Sequence, residues 1–145
     1  MAAKTVSIMV RQGSGFRTEA EAGKHRVIID QPTAAGGTDG GPTPLDYQLI
    51  ALGGCIAAVG RIIAMQRRLS LRGIEIEVQG TINTDGVLGK PSTDPVGFSS
   101  IRASVKFDCD LSREEQAKLL EEIEARCPIS DNLARATSVT ITLRG

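Results

Sequence analysis

One stretch constrains this chain more than any other. From Leu45 onward, Leu49, Leu52, Ile56, Val59 and Ile63 follow at intervals of four and three, the spacing that lays side chains along one face of an α-helix. Thr43 reads as its N-cap, with Pro44 at the first helical position, where a missing N–H costs nothing. A helix sustained to about Leu69 would run to roughly 39 Å, long for a chain of 145 residues. Gly53, Gly54, Ala57, Ala58 and Gly60 lie inside it. The glycines weaken a helix by propensity, and small residues here predict close approach of another backbone.

Around this helix the pattern is that of strands. Residues 4–11, 15–21 and 25–30 are β-branched or alternating and are separated by Gly13, Gly15 and Gly23, which predicts a three-strand meander. QPTAAGGTDGGPTP, from Gln31 to Pro44, is turn-rich and predicts a loop. From Arg72 to Asn83, Ile74, Ile76 and Val78 alternate with Glu75, Glu77 and Gln79. Residues 101–107 alternate likewise, with Arg102 and Lys106 outward, predicting an antiparallel pair with acidic side chains facing basic ones. Ser112 and Glu115 form a capping box for a helix to about Arg126, with Leu120, Ile123 and Cys127 on one side. Pro128 interrupts it at Cys127. Residues 139–143, Val-Thr-Ile-Thr-Leu, predict a closing strand. The order β-β-β-α-β-β-α-β describes one α+β domain over residues 1–145.

Seventeen basic residues balance seventeen acidic ones, so no positive field is available to hold a phosphate backbone, and nucleic-acid partners are not expected. No run is expected to approach the roughly 20 apolar residues of a membrane span. The N-terminus turns polar too soon for a secretory signal. The expectation is a cytoplasmic protein without a membrane partner, whose three cysteines stay reduced. With one histidine, His25, and no C-x-x-C, metal binding and histidine triads are not expected. The Gly-rich loop lacks the Lys-Ser/Thr of a phosphate-binding loop.

The cysteines differ. Cys109 stands between two aspartates, whose charge discourages a thiolate, and reads as structural. Cys55 borders the apolar stripe of the long helix, and Cys127 ends a helix before Pro128. Each fits either a small apolar core residue or a reactive thiol.

The wording around both is more specific. GGTDGGPTPLDYQLIALGGCIAAVGRIIA and, downstream, CPISDNL with a terminal strand closely resemble the two signatures of the OsmC and organic hydroperoxide resistance family. HRVIIDQP resembles the strand before the loop, so the resemblance covers nearly the whole chain. It implies antiparallel sheets wrapped around a long central helix in an intertwined homodimer. It also implies that Cys55 is the peroxidatic thiolate and Cys127 the resolving thiol, and that the protein is a thiol-dependent peroxidase acting in oxidative-stress defence. The substrate would be an organic hydroperoxide and the reductant an external dithiol, with no bound cofactor. The peroxidase branch also carries a supporting Arg and Glu. Leu45 stands where that Glu is expected, with Asp46 beside it; Arg17 is the nearest Arg candidate, with Arg11 and Arg26 as competitors. The competing readings are a non-enzymatic module that holds a small hydrophobic ligand, and a thiol–disulfide redox sensor.

Overall fold

The computed structural model describes residues 2–145, which fall into two compact units meeting at Gln48 and Leu49. In the first unit, strands β1 (Met9–Gln12), β2 (Thr18–Ala22) and β3 (His25–Ile29) form an antiparallel meander in that order. Thr18 and Ala20 of β2 are buried and alternate with Glu19, as a strand covered on one face requires. Gly23 makes the β2–β3 turn at a φ of 60°, a conformation glycine adopts without steric cost. The loop that follows contains one short 3-10 turn, Thr33–Ala35.

Helix α1 (Pro44–Arg67) begins in the first unit and continues into the second. The second unit holds β4 (Leu71–Ile82) and β5 (Phe98–Cys109) as an antiparallel pair, then α2 (Arg113–Arg126) and α3 (Pro128–Ala134). The strand register sets Glu75 opposite Lys106 and Gln79 opposite Arg102 on the wet face. On the other face Ile76 pairs with Val105 and Val78 with Ala103. That face packs on a core made by Leu52, Ile56, Val59 and Ile63 of α1 with Leu119 and Ile123 of α2. The capping box of α2 forms as expected: Ser112 N–H donates to Glu115 Oε2 at 2.7 Å, and Glu115 N–H donates to Ser112 Oγ at 3.2 Å.

Several expectations need correction. The last strand does not form; residues 136–145 have no regular structure and no partner strand among the described residues. Beyond the break at Cys127 a third helix, α3, follows, because Pro128 stops α2 yet suits the first turn of a new helix. Leu119, not Leu120, joins Ile123 in the core. Within the chain, Gly60 of α1 admits side chains rather than a backbone: a Cβ there would meet Ile74 Cδ1 at 2.9 Å and Ile123 Cδ1 at 3.2 Å. Finally, α1 is long and apolar enough to cross a membrane by length and composition, because alanines and glycines fill the gaps between its larger apolar residues.

Candidate functional site

Cys55 projects from the flank of the α1 stripe and is half-buried. Cys127 is both the C-cap of α2 and the N-cap of α3, and only 1% of it is exposed. Its sulfur accepts a hydrogen bond from Ser130 N–H at 3.5 Å, which replaces a backbone partner missing at the new helix start. Across 72 residues of sequence, the Cys127 thiol donates to Cys55 Sγ at 3.0 Å. Both cysteines are free. A disulfide requires about 2.0 Å, so the two thiols stand in contact, a small displacement from bonding.

Burial pushes the Cys55 thiol above its ordinary range, and the contact with Cys127 pushes it further. A hydrogen bond from the Ile129 backbone opposes both. A neutral thiol loses less than a thiolate on leaving water, so the site as built favours the protonated form.

The other candidate residues belong to the first unit. Arg11 and Arg26 both pair with Glu21, at 3.5 and 3.6 Å. Arg17 makes no ion pair among the described residues; its Nη1 lies against the Gly-rich loop, 3.0 Å from where a Gly40 Cβ would stand. The Asp46 carboxylate accepts from Thr43 N–H and Thr43 Oγ–H, each at 2.9 Å, and so caps the start of α1. Leu45 is exposed.

Asp30 escaped the sequence reading. It is 1% exposed and ends the HRVIID strand, with Thr38 Oγ–H donating at 2.6 Å and the N–H groups of Gly40 and Gln31 at 3.0 and 2.8 Å. Those donors hold its carboxyl at about 2, against 3.8 ordinarily. The legible signal was an acid directly before a loop rich in glycine and threonine, where free N–H groups gather.

Cys109 lies half-buried opposite Leu71, and its flanking aspartates, Asp108 and Asp110, are each 2.9 Å from Arg72. His25 opens β3 and is exposed. Beside Cys127 an apolar groove of about 240 Å³ runs between α1, β5 and α2, with Glu124 among its lining residues.

A family model described as OsmC-like protein matches residues 37–142. No curated protein matches the chain. An OsmC-like protein from Mycoplasma pneumoniae shares the fold with a TM-score of 0.81 at 18% identity, covering 93% of this chain and 91% of that one. The organic hydroperoxide resistance protein OsmC of Legionella pneumophila, also described as a predicted redox protein, gives 0.68 at 18% identity over 92% and 91%. The organic hydroperoxide resistance protein OhrB of Bacillus subtilis gives 0.63 at 23% identity over 93% of each chain.

Proposed function

This chain belongs to the OsmC-like protein family, and on that footing we propose that it is a thiol-dependent peroxidase acting on organic hydroperoxides. In this reading it works as a cytoplasmic homodimer that draws electrons from an external dithiol. The observation that carries the reading is the 3.0 Å approach of Cys55 and Cys127. The likeness to organic hydroperoxide resistance proteins supports the choice of substrate.

The chemistry divides between the two sulfurs. The Cys55 thiolate attacks the terminal oxygen of the hydroperoxide, the O–O bond breaks, and the leaving alkoxide takes a proton to become an alcohol. Cys55 is left as a sulfenic acid. The Cys127 sulfur then attacks that sulfur and releases water, forming the disulfide. A dithiol reduces the disulfide and is itself oxidised, so one hydroperoxide consumes one dithiol. The low polarity around Cys127 favours an apolar substituent on the peroxide over hydrogen peroxide. Because burial pushes the Cys55 thiol up, a cation has to assist its ionisation.

Turnover of cumene hydroperoxide with a dithiol tests this. We expect Cys55→Ser to abolish consumption, and Cys127→Ser to stall after one equivalent with Cys55 trapped as sulfenic acid or overoxidised. Unchanged turnover in Cys55→Ser would reject the proposal. The contact between two free thiols also supports a second reading, a thiol–disulfide sensor, which predicts a Cys55–Cys127 disulfide under oxidants without catalytic loss of peroxide.

A further inference from the structure

The groove beside Cys127 is aliphatic where α1 and β5 line it, and on α2 Glu124 is the sole carboxylate among its lining residues. Glu124 precedes Cys127 by three residues at the end of α2, a spacing that sets side chains about 5–6 Å apart on one helix face. The carboxylate thus stands about one helical turn from the sulfur that touches Cys55. A further hollow of about 280 Å³ shares Leu52, Ile101 and Ser130 with the groove, and no charged residue lines it.

No cation answers this carboxylate among the described residues. On α2 itself, Lys118 pairs with Glu114 at 3.6 Å and Arg126 with Glu122 at 3.2 Å. Glu121, which also has no ion pair among the described residues, adds charge of the same sign one turn earlier. Helix α1 has no charged side chain between Asp46 and Arg61, and Arg61 donates to the Leu71 carbonyl. On β5, Arg102 and Lys106 alternate with the groove-lining residues and so belong to the opposite face of the sheet. On α3, Asp131 holds Arg135 at 2.7 Å. What remains is an uncompensated negative charge in an apolar groove, a field that repels anions and leaves uncharged molecules indifferent.

We propose that Glu124 sets the charge specificity of the thiol site: the groove accepts an uncharged organic hydroperoxide and turns away one that carries a carboxylate. An uncharged body gains by leaving water for the aliphatic walls. An anionic one gives up hydration and meets a like charge at close range. Glu124 is exposed, so water sets the scale of the repulsion. Two unit charges about 5 Å apart in water weaken binding about fourfold. The inference rests on the peroxidase reading above and narrows its substrate class.

Cumene hydroperoxide, its para-carboxylate and the amide of that acid share one body and differ in charge. With a dithiol as reductant at low ionic strength, wild type should show a higher kcat/KM for the amide and for cumene hydroperoxide than for the carboxylate. Glu124→Gln should narrow the gap between amide and carboxylate about fourfold, and Glu124→Lys about sixteenfold. Glu114→Gln removes an equal charge from the far end of α2 and should leave the gap as it is. A gap unmoved by both Glu124 variants would overturn the inference and leave the peroxidase standing. So would equal use of amide and carboxylate by wild type, or an equal effect from Glu114→Gln. A wild type that consumes none of the three hydroperoxides overturns both.

Discussion

Burial pushes the Cys55 thiol up and contact with Cys127 adds to it, so the thiolate gains population only as pH climbs past the ordinary cysteine range, about 8.5. Alkylation of Cys55 by a neutral reagent should therefore still be accelerating at a pH where an exposed thiol has levelled off; a plateau at or below the ordinary value would contradict the burial argument. Asp30 shows the opposite sign. Its folded value of about 2 lies below the 3.8 of an unperturbed aspartate, so its ionisation stabilises the fold fully above 3.8. That contribution fades as pH falls from 3.8 towards 2. Asp30→Asn removes a carboxylate that only donors surround and puts an amide N–H₂ among them. The stability gap between wild type and Asp30→Asn, read from chemical denaturation, should be constant above pH 4 and narrow towards pH 2.

At the scale of elements, the Gly-rich loop is held by contacts that leave no room for a methyl group. A Cβ on Gly37 would run into the Gln31 carbonyl oxygen, which is backbone and cannot swing aside. Gly37→Ala should therefore destabilise the protein by about 1–3 kcal/mol, measured by chemical denaturation, whereas a cost near zero would show that the loop is loose. Helix α1, the β4–β5 pair and the α2 cap were legible because their signals are local: a four-three spacing, an alternation, a Ser-x-x-Glu. What was not legible depended on distant partners. Leu119 and Leu120 are neighbours with equal claims from sequence, and only the placing of α2 against Ile63 and Val59 decides that Leu119 faces inward. The 139–143 alternation predicts a strand that does not form, because alternation records only a side-chain pattern while a strand also needs a partner, which this segment lacks among the described residues. The contact between Cys55 and Cys127 likewise came from a resemblance, since no periodicity spans 72 residues.

For the whole molecule, stability of the second unit should concentrate where α1, α2 and the inner face of the sheet meet. Ile63 is fully buried there, and Ile63→Ala should cost about 2–5 kcal/mol in denaturant unfolding; a loss below about 1 kcal/mol would place the centre of the core elsewhere. The same packing presses Cys127 against Cys55, yet Cys127 also joins two helices, ending α2 and accepting from Ser130 at the start of α3. Serine is among the strongest residues at such a joint. Exchanging sulfur for oxygen at 127 thus separates electron transfer from carpentry: it silences the former and leaves the corner of the chain square, so a dead Cys127→Ser protein cannot be explained away as a collapsed one.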